Sequence, residues 1–384
     1  MTGDAPLRIA LLHPTYWPEV MRGAERFVAE LGSTLAARGH QVTLLSSHRA
    51  PSSRTRERGI AVVRRRRVPP LPTLATHEYH LENVPNVLVG LAARRFDVAH
   101  AHFPSDAWAA VQARRLGGPP VVCTLHGIPT RQYLVARRYR LEMLRSVVAR
   151  AAALAVDSEA AARAARAYLL CDPAVITPGI RAGEFAVDVR RASEPTLICS
   201  ASLGDPRKRG TLLLEAFGRL REAVPDARLV LTRGRDPIMS GPEPDAGPGV
   251  SWLEPDNRSE VLARRYAGAS ATVLPAVEEA FGMVLLESLA AGTPVVAARS
   301  GAGPEIVDSD RIGRLFEPDD AADLARAMGE TLELAGRGET VTACRGRAGR
   351  FSWERVADAY EGLYREALAP GSGSPAGTRA NQKW

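Results

Sequence analysis

The segment running from Ala271 to Val296 constrains this chain most. Ala271-Thr-Val-Leu-Pro275 is a short apolar strand, followed by Glu279-Ala-Phe-Gly-Met-Val-Leu-Leu-Glu287 and then Ser288-Leu-Ala-Ala-Gly-Thr-Pro-Val-Val296. The order is strand, Gly-containing loop, helix, Gly-Thr-Pro turn, strand. Gly282 falls near the helix N-terminus, where free N–H groups and the macrodipole attract anions. Glu279 falls in the loop, and Glu287 about a turn and a half into the helix. A carboxylate beside an anion site points to a further ligand group, such as the hydroxyls of a sugar, because an ionised carboxylate only accepts hydrogen bonds. Two glutamates at this spacing are common in helices, so the weight rests on the whole run.

The same alternation recurs along the chain. Leu7-Arg-Ile-Ala-Leu-Leu12 is a strand, and Ala24 to Arg38 an amphipathic helix carrying Phe27, Val28, Leu31 and Leu35 at helical spacing. Gly39 suits the position just past the helix end. Gln41-Val-Thr-Leu-Leu45, Asp97-Val-Ala-His-Ala101, Val121-Val-Cys-Thr-Leu125 and Ala153-Leu-Ala-Val156 are further strands, separated by helical stretches. A second series begins near Pro195, with strands at Thr196–Ser200 and Ala227–Leu231 around a helix from Thr211 to Ala223. Strands alternating with helices predict a parallel, doubly wound sheet. Two series predict two such domains, with the hinge near Gly183–Val187. The expected division is residues 1–184, residues 185–350, a helix over 351–368 and a flexible tail over 369–384. The Pro-, Gly- and acid-rich stretch 237–249 is expected to be an exposed loop.

Length and composition agree. The 384 residues allow two full cores, and 45% hydrophobic with 24% charged residues fits a soluble globular chain. No apolar stretch approaches the roughly 20 residues of a membrane helix, and Met1-Thr-Gly-Asp-Ala-Pro6 lacks signal-peptide character. Cys123, Cys171, Cys199 and Cys344 show no C-x-x-C spacing and read as free thiols of a reducing cytoplasm. Charge is uneven: residues 1–184 hold 25 arginines against 14 acids, while the rest is net acidic. The basic half favours an acidic acceptor, an anionic membrane surface or nucleic acid. No helix-turn-helix or zinc pattern accompanies it, so nucleic acid is set aside. Only two lysines occur, Lys208 and Lys383. A single compact, flexible cation at 208 within an arginine-using body points to a phosphate.

The run Glu279–Ala298 resembles the E-x7-E motif of retaining glycosyltransferases of family 4, and the resemblance extends over roughly residues 7–368. It implies the α/β GT-B fold: two Rossmann-like domains with an interdomain cleft, and a C-terminal helix returning to the first domain. It also implies a nucleoside diphosphate sugar as co-substrate, held mostly by the second domain, and no metal or other cofactor. Glu287 would accept from the ribose hydroxyls and Glu279 from the donor sugar. Backbone around Phe281, Gly282, Met283 and Val284 would face sugar and diphosphate. Lys208, within Arg207-Lys208-Arg209-Gly210, matches the family's basic pair only in part. Where the family carries an arginine, this chain has Ser202, and Arg207 or Arg209 can supply the missing charge. Gly23 follows Arg22 where the family often has two glycines, and would let backbone approach phosphate or acceptor.

Several histidines follow strands, at the carboxyl edge where doubly wound folds bind ligands. His126, in Thr124-Leu-His-Gly127, would meet the donor sugar. His100 and His102 form an H-x-H pair that lacks a third ligand nearby in sequence, so lining or packing is favoured over metal. His13 keeps an inverting mechanism open, with His13 as base. Asp308-Ser-Asp310 is a D-x-D in form but sits in a turn. Arg64 to Arg67 are consecutive in a strand-like segment, so their side chains alternate faces. Arg65 and Arg67, with His13 and His102, are the acceptor-side candidates; His126, Glu279 and Lys208 are the catalytic ones.

The expected activity is retaining transfer from a nucleoside diphosphate sugar, UDP over GDP, to an acceptor hydroxyl of a small molecule, glycan or lipid-linked compound. It belongs to envelope or natural-product biosynthesis in a bacterial cytoplasm, with contact at the inner membrane face open. An inverting transferase, a nucleotide-sugar epimerase and a non-catalytic sugar-nucleotide-binding module are the rival readings.

Overall fold

The structure is a computed structural model that describes residues 5–17, 20, 22–67, 79–234 and 247–369. The expected loop at 237–249 lies mostly outside these residues, as do Lys383 and nearly all of the expected tail. The chain divides into two units: Met1–Thr177 with Trp353–Trp384, and Pro178–Ser352.

Among the described residues of the first unit, eight strands form one sheet. They are β1 (Arg8–Leu12), β2 (Gln41–His48), β3 (Ser53–Glu57), β4 (Ile60–Arg66), β5 (Val98–Ala101), β6 (Val121–Leu125), β7 (Ala153–Val156) and β8 (Ala174–Val175). The sheet order is β3-β4-β2-β1-β5-β6-β7-β8. All neighbours are parallel except β3, which runs antiparallel to β4. The β3–β4 turn is Arg58-Gly59, with φ of 48° and 85°. Two successive left-handed residues form the tight hairpin whose twist suits the flanking strands. β3 reads Ser-Arg-Thr-Arg-Glu, a charged edge that discourages pairing with another chain.

Central strands β1, β5, β6 and β7 are buried on both faces, as apolar strands covered by helices must be. One core face gathers Leu12, Leu45, Val87, Val111, Leu144 and Leu154. The other gathers Ile9, Leu11, Phe27, Leu31, Leu35 and Val62. This second face is completed by the helix Trp353–Leu368, whose buried residues Trp353, Val356, Ala357, Tyr360, Tyr364 and Ala367 recur at helical spacing. Arg38 reaches that helix at Asp358 (2.6 Å), and His40 reaches Glu361 (3.1 Å). The C-terminal helix is therefore part of the first unit's core.

The second unit holds β9 (Thr196–Cys199), β10 (Arg228–Thr232), β11 (Val250–Leu253), β12 (Ala271–Leu274), β13 (Val295–Ala298) and β14 (Gly313–Phe316). Their order is β11-β10-β9-β12-β13-β14, and every pair is parallel. One core serves both faces. The unit begins at Pro178, earlier than the boundary expected at 184. The reason is burial: Ile180 and Phe185 pack into the second unit's core, with Phe185 fully enclosed.

Candidate active site

Glu279 stands on the loop joining β12 to the helix Met283–Ala291. That loop is held by its backbone. Glu278 adopts φ 54° and donates its N–H to Ser300 Oγ at 3.2 Å. The Glu279 carbonyl accepts from Ala302 N at 3.0 Å. Gly301, at φ 55°, lies so close that a Cβ would sit 2.4 Å from the Glu279 oxygen. Only glycine permits both that angle and that approach. Gly282, at φ 92°, turns the chain into the helix, whose first N–H groups lack intrahelical acceptors.

Lys208 arrives from the opposite side of this loop. It ends a short 3-10 turn, Pro206–Lys208, capped by the Asp205 carboxylate on Arg207 N at 3.0 Å. The Arg207 carbonyl accepts from Val277 N at 3.1 Å, which ties this turn to the Glu279 loop. The Lys208 ammonium donates to Glu279 Oε2. Both side chains keep about a fifth of their surface exposed, 21% and 22%, so the pair is open to a ligand. Its neighbours are held elsewhere: Arg207 by Asp205 at 2.6 Å and Arg209 by Asp319 at 2.7 Å. Arg209, at φ 51°, caps the helix Gly210–Ala223.

Glu287 lies on the buried side of the helix Met283–Ala291. It is only 3% exposed, and its Oε2 accepts from the Tyr266 hydroxyl at 3.1 Å. Phe281 is a core residue, edge-on to Phe351 at 5.8 Å. Met283 and Val284 are half-buried at the helix start. Ser202 spends its carbonyl on a turn, accepting from Asp205 N at 3.1 Å.

In the first unit, four polar residues directly follow four adjacent strands. His13 follows β1, His102 follows β5, His126 follows β6 and Asp157 follows β7. The row occupies the carboxyl edge of the sheet, where side chains from successive strands converge. His126 Nδ1 faces Asp157 Oδ2 at 3.0 Å, and its Nε2 faces His102 Nδ1 at 3.0 Å. His13 Nδ1 donates to the Thr15 carbonyl at 2.6 Å. The Nε2 atoms of His13 and His102 are buried and have no partner among the described residues. Burial pushes the His13 pKa down and that of His102 well down, so both rings are neutral. Phe27 packs on His126 at 4.7 Å and on Trp353 at 5.3 Å.

Family models now meet this geometry. The one described as Glycosyltransferase Family 4 matches residues 21–183, and the one for glycosyl transferases group 1 matches residues 194–333. The D-inositol 3-phosphate glycosyltransferase of Saccharomonospora viridis is 30% identical over 305 residues, which covers 71% of each chain. The chain belongs to the family 4 glycosyltransferases. The phosphatidyl-myo-inositol mannosyltransferase of Mycobacterium leprae is 27% identical over 380 residues, 95% of this glycosyltransferase and 98% of that one. Sucrose-phosphate synthase from Thermosynechococcus elongatus superposes with a TM-score of 0.77 at 22% identity, over 93% of this chain and 98% of that one. Anabaena HepE in complex with UDP-glucose superposes with a TM-score of 0.71 at 18% identity, over 94% and 100%. These likenesses place the glycosyltransferase in the GT-B fold.

The structure gathers some candidate residues of this glycosyltransferase and separates others. Lys208 and Glu279 come together, as do His102 and His126. Gly23 opens the helix Gly23–Ala37, and a Cβ there would meet nothing within 4 Å, so packing does not demand glycine. Arg64 to Arg67 split as alternation requires. Arg64 is buried on Glu57 at 2.7 Å, while Arg67 reaches Ser47 Oγ at 3.4 Å. Arg65 stands near Arg54 and Arg94; burial, then the fields of Arg54 and Arg65, lower the Arg94 pKa. None of these three arginines has a hydrogen-bonding or acidic partner among the described residues. His100 is fully buried between Thr124 Oγ1 at 2.8 Å and the Tyr364 hydroxyl at 2.7 Å, a packing role. Asp308 is ion-paired with Arg347 at 3.0 Å. Sequence reasoning missed Asp157, although its place directly after a strand is the signal that singled out His126. It also missed Asp205, Tyr266 and Asp319, which lie outside the recognised runs.

Proposed function

We propose that this enzyme is a retaining, metal-independent glycosyltransferase acting in the cytoplasm. It moves a sugar from a nucleoside diphosphate sugar, UDP over GDP, to a hydroxyl of a phosphorylated or lipid-linked acceptor. The observation that carries this reading is the Lys208–Glu279 pair, the one lysine among the described residues and the motif glutamate bonded together while each keeps about a fifth of its side chain exposed. A diphosphate draws the ammonium, and the freed carboxylate takes sugar hydroxyls. Lys208 then stabilises charge that grows on the leaving diphosphate. Arg207 and Arg209, released from Asp205 and Asp319, can add to it, and backbone N–H groups from Phe281 to Val284 lie at the same helix start. Glu287 is assigned to the ribose, with Tyr266 orienting it. Ser202 and Gly23 complete the donor residues.

The step breaks the bond from the anomeric carbon to the diphosphate oxygen and forms one to the acceptor oxygen on the same face. The acceptor proton passes to the leaving phosphate oxygen. His126 is assigned to the transferred sugar, and His13, His102, Arg65 and Arg67 to the acceptor. The relatives named for inositol 3-phosphate and phosphatidyl-myo-inositol support a polyol phosphate or its lipid as acceptor class. The Anabaena protein bound to UDP-glucose supports the donor class. Arg54, Arg65 and Arg94, cations lacking acidic partners among the described residues, favour an anionic acceptor or membrane surface.

A second reading has one specific observation behind it. His13 Nε2 is a buried lone pair with no partner among the described residues, as an inverting base requires. The experiment is transfer from α-linked UDP- and GDP-sugars to inositol phosphate and phosphatidylinositol, with product configuration read by NMR. An α-linked product is expected. A β-linked product moves the account to His13. An epimerised donor without acceptor, or an unchanged donor under all acceptors, overturns transfer itself.

A further inference from the structure

His126 is hydrogen-bonded at both ring nitrogens, and the two bonds have a fixed sense. Nδ1 lies 3.0 Å from Asp157 Oδ2 and 3.2 Å from Oδ1. A carboxylate only accepts, so the proton between them sits on His126 Nδ1. Were Nε2 protonated as well and donating to His102 Nδ1, His102 would carry its proton on Nε2, a buried N–H with no acceptor among the described residues, so His126 carries a lone pair on Nε2. That lone pair faces His102 Nδ1 at 3.0 Å, so His102 donates there. The two ring planes differ by 6°, and the nitrogen edges touch, which fits a bond along the ring edges better than a face-to-face stack. His102 is then left with its own lone pair on Nε2, buried and without a partner among the described residues. The chain runs one way, from His102 to His126 to Asp157.

We infer that Asp157 and His102 are positioning residues that hold His126 as the Nδ1–H tautomer and make its Nε2 a hydrogen-bond acceptor only. The consequence is a selection rule. A ligand group that reaches His126 Nε2 by displacing His102 must donate a hydrogen bond. A sugar hydroxyl qualifies; a phosphate or carbonyl oxygen does not. This consequence rests on the proposed assignment of His126 to the sugar, whereas the tautomer itself does not. Other groups set the surroundings. His13 from the end of β1 and His100 from β5 stand nearby, with Phe27 against the ring and Tyr360 from the C-terminal helix beside Asp157.

The test is long-range proton–nitrogen NMR of the full chain labelled at histidine, without ligand, with His126 identified by the signal lost in His126→Gln. The expected wild-type spectrum shows a protonated Nδ1 and an unprotonated Nε2 at His126. In Asp157→Asn the amide can donate to Nδ1, so the proton moves to Nε2 and the His102 signals shift. Asp157→Glu keeps the wild-type tautomer. Transfer by Asp157→Asn falls on the order of 10²-fold in kcat, with the donor KM little changed, and Asp157→Glu recovers part of it. A wild-type His126 protonated at Nε2 overturns the inference, and does so even if the variants fail to fold. An Asp157→Asn protein that keeps the Nδ1–H tautomer overturns it as well. The expected spectrum in a protein that transfers no sugar supports the positioning and counts only against the assigned function.

Discussion

Lys208 and Glu279 are hydrogen-bonded to each other across 71 residues of sequence, in a pair that solvent still reaches. On the proposed function, each is the partner that the other gives up when a donor binds. Removing one would then do two things: delete a ligand contact and leave the other charge without its counter-ion. Lys208→Ala and Glu279→Gln are each expected to lower transfer by about 10²- to 10³-fold. Melting temperature is expected to fall only modestly, since the charge left behind is partly buried but still keeps about a fifth of its side chain in solvent. Kinetics and thermal melts on the same samples check this. A collapse in melting temperature that tracks the lost rate would make the pair structural.

Gly301 packs directly against the Glu279 backbone. Gly301→Ala places a methyl group against the Glu279 backbone in a left-handed residue. It is expected to cost about 1–3 kcal/mol and to weaken donor binding along with it. Denaturant melts and donor titration check both. Wild-type donor affinity in Gly301→Ala would show that this turn does not set the Glu279 loop.

Asp106 gives a pH dependence with a defined sign. It is fully buried, and burial pushes its carboxyl up to about 8, with the Asn83 amide opposing only part of the shift. The folded state therefore keeps a proton that the unfolded chain gives up near pH 4. This contribution is complete below about pH 4 and is lost as pH rises toward about 8. Asp106→Asn removes the ionisation at nearly constant shape. Its stability relative to wild type is expected to climb between those limits, by at most several kcal/mol. Urea midpoints across that range measure the gap. A gap independent of pH would mean that Asp106 ionises normally in the fold.

Tyr360 and Tyr364 anchor the C-terminal helix through buried hydroxyls, Tyr360 to Thr124 Oγ1 at 2.8 Å and Tyr364 to His100 Nδ1 at 2.7 Å. Each Tyr→Phe change is expected to cost about 1–2 kcal/mol, because a buried polar partner is left unsatisfied. Tyr360→Ala is expected to cost about 3–5 kcal/mol. Thermal or urea melts distinguish these values. Equal small losses for Phe and Ala would mean that the helix is only loosely attached.

Much of the fold was legible because its strands are short apolar runs broken by glycine and proline. The strands β6 and β7 fall on the residues their composition picks out, and the helix Gly210–Ala223 differs from its expected span by one residue. β3 was not legible: Ser-Arg-Thr-Arg-Glu has no apolar alternation and exists because the Arg58-Gly59 turn folds it onto β4. Phe185 could not be assigned to a unit from local pattern, since its partners are distant in sequence. Lys208 could be singled out because it is one lysine among arginines. Its bond to Glu279 could not, because a loop closure decides it. The partner of Glu287, the Tyr266 hydroxyl, was not legible, because it comes from a different helix of the unit. Asp157 was within reach of the same strand-end argument that found His126.

Arg54, Arg65 and Arg94 repel one another in the absence of an anion. Arg65→Glu is expected to weaken use of an acidic acceptor by about tenfold at low salt and to leave donor binding intact, with the difference fading as salt rises. Arg67→Glu also removes the bonds to Ser47 and is expected to cost some stability as well. Acceptor and donor titrations at two salt concentrations check this. Equal loss of both affinities in Arg65→Glu would remove these arginines from acceptor recognition.

The most direct measurement is a thermal shift of the wild type and Lys208→Ala with UDP, GDP, ADP and TDP, each with and without EDTA. A ligand that binds only the folded state adds about 2.7 kcal/mol at 100 times its dissociation constant. The account predicts a clear shift with UDP in the wild type, unaffected by EDTA and lost in Lys208→Ala. No shift with any nucleotide, or the same shift in the variant, would contradict a diphosphate site built on Lys208 and Glu279.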